Sequence, residues 1–188
     1  MNVQEATTRR LPDLKERHLP ENCRETINTI LKETYGYEQF RNLEIYDDLS
    51  KGKEKLCISQ GQLIENVILE AEKAWKGETQ VDNILLTAPT GSGKSLLFQL
   101  PAIYLGKEYN LLTIVVSPLK ALIVDQVESL QELGYMRVAY ASSDLSPEQK
   151  MEVYRQVREG EIDLFYLSPE LLLSYDIKHF VGERRIGL

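Results

Sequence analysis

Residues Asn83 to Ser95 constrain this chain more than any others. They read Asn-Ile-Leu-Leu-Thr-Ala-Pro-Thr-Gly-Ser-Gly-Lys-Ser, an apolar run, a glycine-rich turn, then lysine and serine heading an apolar helical pattern. Glycine takes left-handed backbone conformations at no steric cost, so Gly91 and Gly93 let successive N–H groups turn inward around an anion. A helix starting directly behind the turn aims its positive dipole end at the same anion. Lys94 has the reach for β- and γ-phosphates, and the Ser95 hydroxyl suits Mg²⁺. The expectation is a nucleoside triphosphate site. Thr90, Gly91, Ser92, Gly93, Lys94, Ser95 and Leu96 would form its loop, with Lys94 as the catalytic group and Ser95 as the metal ligand. Ala88 stands where the general GxxxxGK[ST] pattern has its first glycine.

From residue 81 onward, β-rich apolar runs alternate with helical patterns. Strands are expected at Asn83–Thr87, Leu111–Ser117, Arg137–Tyr140 and Asp163–Leu167. Helices are expected at Gly93–Leu105, Leu119–Leu133 and Pro147–Gly160. Such alternation implies right-handed βαβ units, an open parallel sheet with helices on both faces, and ligands at the carboxyl ends of the strands. Residues 1–80 read as a charged, mostly helical extension. Ile27, Ile30 and Leu31 fall at helical spacing before Gly36, and a second helix is expected from Gln60 to about Lys76. The polar stretch from Asp47 to Lys55 reads as a loop.

Charge argues against a simple nucleic-acid module. The 188 residues carry a formal net charge of −7, and residues 1–80 hold 12 basic and 15 acidic side chains. Any phosphate-backbone contact must therefore come from local donors or from other parts of a larger protein. No apolar run approaches the length of a membrane span. The two cysteines, Cys23 and Cys57, suit a reducing cytoplasm better than a disulfide framework.

The motifs around the loop add a resemblance. The segment Ala88 to Ser95, followed by Leu96-Leu-Phe-Gln-Leu-Pro-Ala102, resembles motif I of superfamily-two helicases, the RecQ-like ones in particular. Val116-Ser-Pro-Leu-Lys-Ala-Leu-Ile-Val-Asp-Gln-Val127 is similar to their motif Ia, and Asp163 to Leu171 to their motif Ib. Leu31 to Arg41 resembles their adenine-recognition segment. The resemblance implies a RecA-like P-loop NTPase lobe, incomplete, over residues 81–188. It also implies ATP and Mg²⁺ as ligands and a DNA strand or fork as partner. The implied activity is that of an ATP-dependent DNA helicase, usually running 3′ to 5′. Ser117, Lys120, Ser143 and Ser168 would contact the strand without reading its sequence. For these serines, helix capping is the competing role. Asp125 and Gln126 would be either a solvated face or a structural hydrogen-bonding pair.

Two departures from the family pattern matter. No glutamine closely follows Phe40-Arg41; the next residues are Asn42, Leu43 and Glu44. The nearest candidates are Gln60 and Gln62, and Gly61-Gln62 ahead of an apolar helix favours Gln62, with Tyr37 or Arg41 on the other side of the base. Packing or a surface ion pair is the competing role for Tyr37 and Arg41. The family also continues into a DExH strand and a second motor lobe, whereas residues 1–188 contain no DExH sequence. That implies a motor fragment, weak as a catalyst alone, whose partners include the second lobe and other proteins. The rival readings are an RNA helicase or other superfamily-two ATPase, and a non-catalytic nucleotide-binding interaction module.

Overall fold

A computed structural model describes residues 16–46, 55–86 and 91–188. Helix α1, Glu21–Tyr35, buries Ile27, Ile30 and Leu31 and ends on Gly36 at φ +69°, the left-handed stop that its glycine predicts. Strands β1, Asn42–Tyr46, and β2, Lys55–Ser59, pair antiparallel, with Asn42 opposite Ser59. The sequence reading held no strands here. Its polar loop lies outside the described residues apart from Lys55, which opens β2. Helix α2, Gln60–Trp75, starts at Ser59, whose hydroxyl accepts from the Gly61 N–H. Its Ile64 and Ile68, one turn apart, are fully buried.

The second half alternates as expected. Helix α3 spans Leu96–Tyr109, followed by β3 at Thr113–Val116, α4 at Lys120–Glu132, β4 at Val138–Ala141, α5 at Pro147–Glu159 and β5 at Leu164–Leu167. Two short helices follow, α6 at Pro169–Ser174 and α7 at Ile177–Val181. The three strands are parallel in the order β3-β5-β4, so β5 is central, and all four of its residues are buried. Successive side chains of a strand point to opposite faces. Accordingly Leu164 and Tyr166 pack with Ala102 of α3 and with Ile123 and Val127 of α4. Phe165 and Leu167 pack with Tyr154 and Val157 of α5 and Phe180 of α7. Helices thus cover both faces, the RecA-like α/β arrangement.

The expected strand at Asn83–Thr87 is not formed over its described residues, 83–86; Thr87 lies outside them. A strand exists only through a ladder partner, and the sheet edge beside β3 is occupied. Arg185 to Leu188 run parallel to it: Leu112 N–H donates to the Arg185 carbonyl at 3.0 Å, Gly187 N–H to Leu112 at 2.9 Å and Ile114 N–H to Leu188 at 2.9 Å. Ile84, Leu86, Val115 and Leu188 instead line one groove of about 1150 Å³, and Leu85 is 91% exposed.

One core crosses the two halves of the sequence. Leu19, Ile27, Leu31, Ile64 and Ile68 pack in the same cluster as Leu97, Leu100, Ile103 and Tyr104 of α3. Beneath the amino ends of β3 and β5, Asp163 is buried. Its carboxylate accepts from Arg137 (Nε 2.6 Å), Arg184 (2.9 Å) and the Tyr135 hydroxyl (3.0 Å). Among the described residues no helix is long and apolar enough to cross a membrane.

Candidate nucleotide and nucleic-acid site

Over its described residues, 91–95, the glycine-rich turn runs directly into α3. Gly91 and Gly93 lie at φ +81° and +78°, where any other L-residue is strained. The Ser95 hydroxyl makes no capping bond to α3, and the Ser92 hydroxyl is buried without a partner. Lys94 is exposed, and with Ser95 it lines the groove described above. A cradle of left-handed glycines with hydroxyls at hand suits a phosphate group and a divalent ion. Thr90 lies outside the described residues.

A second cavity, about 290 Å³, opens on the other side of the turn and is lined by Tyr37, Arg41, Gln60, Gly93, Ser95 and Leu96. Gln60 ties this side together. Its backbone N–H donates to the Arg41 carbonyl at 2.9 Å, its Oε1 accepts from the Arg41 N–H at 3.2 Å, and its Nε2 donates to the Ser92 carbonyl at 3.2 Å. The residue is only 3% exposed. A Cβ on Gly93 would stand 2.5 Å from Gln60 Nε2, so the loop approaches the amide as closely as a glycine allows. Gly61 is equally tight against the Phe40 ring. Tyr37 is half exposed and stacks on Tyr35, with centroids 6.4 Å apart and planes at 14°.

The carboxyl ends of the strands carry the other candidate residues. Ser117 N–H donates to the Leu167 carbonyl at 3.0 Å, and the Ser117 hydroxyl accepts from Leu119 N–H at 3.4 Å, opening the turn into α4. The Lys120 ammonium donates to the Ser143 hydroxyl and stands 3.7 Å from Asp144. Lys120 and Ser143 are both exposed. The Ser142 hydroxyl bond lowers the Asp144 carboxyl below its usual range, with a lesser pull from Lys120.

Residues 60–185 match the family model for DEAD/DEAH box helicases. The chain belongs to that family. Its relatives include the ATP-dependent DNA helicase RecQ of Synechocystis sp., 32% identical over 165 residues, which are 88% of this chain and 28% of the relative. The RecQ of Haemophilus influenzae is 30% identical over 161 residues, covering 86% of this chain and 21% of the relative. That of Bacillus subtilis is 32% identical over 148 residues, covering 79% and 20%. The chain thus spans less than a third of the length of these relatives, and it is a RecQ-like superfamily-two segment.

Within this helicase segment, the geometry places two of the expected residues away from the cavity and the exposed edge. Gln62 does not line the cavity; its Nε2 donates to the Arg17 carbonyl at 2.9 Å, and His18 lies beside it. Two residues on a helix amount to about 200°, so Gln60 and Gln62 face opposite ways. Ser168 is 4% exposed, and its hydroxyl accepts from the Leu171 N–H at 3.4 Å. It caps α6, with Pro169 at the first helical position, rather than offering its hydroxyl outward. Of the Asp125–Gln126 pair, Asp125 is on the solvated face while Gln126 bonds Gln99. The sequence reading missed Gln99 altogether, because a polar residue in an apolar helical run carries no sign of what it faces.

Proposed function

We propose that this chain is the nucleotide-binding part of an ATP-dependent DNA helicase motor. ATP with Mg²⁺ sits on Gly91 to Leu96, with Lys94 on the β- and γ-phosphates and Ser95 on the metal. The metal supplies charge neutralisation for phosphoryl transfer. The loop N–H groups and the start of α3 hold the anion in place.

One observation carries the choice of adenine nucleotide: the Gln60 amide lies buried against the phosphate loop, in the wall of the cavity that Tyr37 and Arg41 also line. An amide has two N–H donors and two acceptor lone pairs. The bonds to Ser92 and Arg41 use one of each, leaving a donor and an acceptor for the amine and ring-nitrogen edge of adenine. Tyr37 offers a ring face and Arg41 a planar cation on the same cavity.

Ser117, Lys120 and Ser143 form the strand-binding edge. Hydroxyls, a backbone turn and one ammonium can grip a phosphate backbone without reading bases. Residues 1–80 supply the adenine side of the site. Residues 1–188 contain no DExH sequence, so this segment would bind ATP but hydrolyse it slowly on its own. Calorimetric titration with ATP·Mg and GTP·Mg tests the reading: ATP should bind and GTP should bind less well. No binding of either nucleotide would reject it.

A further inference from the structure

Gln99 sits one turn into α3, with its backbone N–H on the Ser95 carbonyl at 2.9 Å. It is 5% exposed, and its side-chain amide has partners on three other elements. Oε1 accepts from the Tyr35 hydroxyl of α1 at 3.3 Å. Nε2 donates to Gln126 Oε1 of α4 at 3.0 Å and to the Tyr166 hydroxyl of β5 at 3.2 Å. Burial pushes the Tyr166 phenol up to about 12 and Tyr35 higher still, so both hydroxyls keep their protons and Tyr35 remains a donor.

Each partner leads to a different part of the site. Tyr35 stacks on Tyr37 in the cavity wall. Helix α4 begins at Lys120, and β5 ends at Leu167, immediately before the turn at Ser168. A leucine would fill the place of Gln99 in the largely apolar run of residues 96–105. A buried amide is costly unless its partners stay in register, so the four groups must move together or lose bonds.

We propose that Gln99 is a positioning residue that couples the phosphate loop to the strand-facing turn at Ser117–Lys120 and, through β5, to the helix-capping turn at Ser168. The proposal rests on the ATP site described above. Drawing Lys94 and Ser95 toward phosphate shifts the first turn of α3, and Gln99 hands that shift to Gln126 and Tyr166. Linkage makes the effect reciprocal: whatever ATP does to these turns, a strand bound there does to ATP affinity.

Hydrogen exchange of the full 188-residue chain, with and without saturating ATP·Mg, tests this. In the wild type, ATP should slow exchange in residues 117–126 and 166–171. Gln99→Leu should still bind ATP by calorimetry, yet show no ATP-dependent change in those two segments at saturating ATP·Mg. Gln126→Glu keeps an acceptor for Gln99 Nε2 and should preserve the change, whereas Gln126→Leu should abolish it in residues 117–126 and leave that of residues 166–171, which Tyr166 carries. This pair decides the matter even if Gln99→Leu fails to fold. A merely structural role would alter exchange equally with and without ATP. The coupling is overturned if the wild type binds ATP with no change in these segments, or if the two leucine variants respond as the wild type does. Absence of ATP binding to the wild type would strike instead at the proposed function, and the coupling would fall with it.

Discussion

The Gln60 side-chain amide donates to the Ser92 carbonyl at 3.2 Å, joining the first turn of α2 to the phosphate loop. Gln60→Ala should therefore both loosen the loop and remove the adenine edge contact. A mismatched buried polar edge costs about 1–3 kcal/mol. ATP affinity should fall by roughly 5- to 150-fold, and the preference over GTP should largely vanish. Gln62→Ala, which removes a bond to the Arg17 carbonyl, should leave selectivity intact. Competition titrations of the two variants decide between them; loss of selectivity in Gln62→Ala alone would reverse the assignment.

Lys94→Ala should abolish detectable ATP binding while leaving the melting temperature close to wild type, because the side chain is exposed. Gly93→Ala should lose both. Its φ of +78° strains alanine, and the new methyl would press on Gln60 Nε2. Differential scanning fluorimetry, run with and without ATP, separates the two outcomes.

Lys120 and Asp144 set opposite charges 3.7 Å apart at the carboxyl ends of the strands, on the edge proposed to hold DNA. Lys120→Ala should weaken single-stranded DNA binding for all sequences alike and reduce the magnitude of the log–log salt slope by about 1. Asp144→Asn should strengthen binding, most at low salt. Fluorescence anisotropy over a salt series reads both, and a sequence-dependent loss would argue against a backbone contact.

The parallel strands and their helices were legible because continuous apolar runs mark strands buried on both faces and period-3.6 patterns mark helices; Leu164 to Leu167 is apolar throughout because its side chains alternate between two helix layers. The segment Asn83–Leu86 has the same apolar composition and is not a strand. Its residues record affinity for a core, whereas the ladder depends on which chain occupies the neighbouring edge. The placing of Gln60 rather than Gln62 against the cavity was not legible for a related reason. Proximity to a motif in sequence says nothing about the helical face, and a two-residue offset turns a side chain from the cavity toward Arg17. Ser168 before Pro169 carried both its readings openly, and only burial separated the cap from the contact.

Glu70 gives the fold a pH dependence. Burial alone would raise its carboxyl, but bonds from the Asp82 N–H, Lys73 and Arg17 outweigh that and hold it at about 2, against an ordinary 4.5. A carboxyl depressed by folding contributes stability in full above its unfolded value, and the contribution drains away as pH falls toward the folded value. The melting temperature should therefore decline between about pH 5 and pH 2, with up to ~3 kcal/mol at stake. Glu70→Gln should be less stable at pH 7 and flatter over that interval. An unchanged acid limb in the variant would show that other carboxylates govern it.

Asp163 anchors two arginines and a tyrosine in a buried position. Asp163→Ala leaves the Arg184 guanidinium, itself buried, without its counter-charge and should cost about 3–5 kcal/mol in urea unfolding. A loss below 1 kcal/mol, the range of exposed pairs, would mean that water already reaches the cluster.

The cluster that joins Leu19, Ile27 and Leu31 to α3 has a consequence for where this protein may be cut. The family match begins at Gln60, but a polypeptide starting there would expose the faces of Leu97, Leu100 and Ile103 that α1 covers. Homology therefore marks the wrong excision point. A polypeptide that keeps this core reaches back to Leu19, and Tyr37 and Arg41, which lie between α1 and α2, come with it.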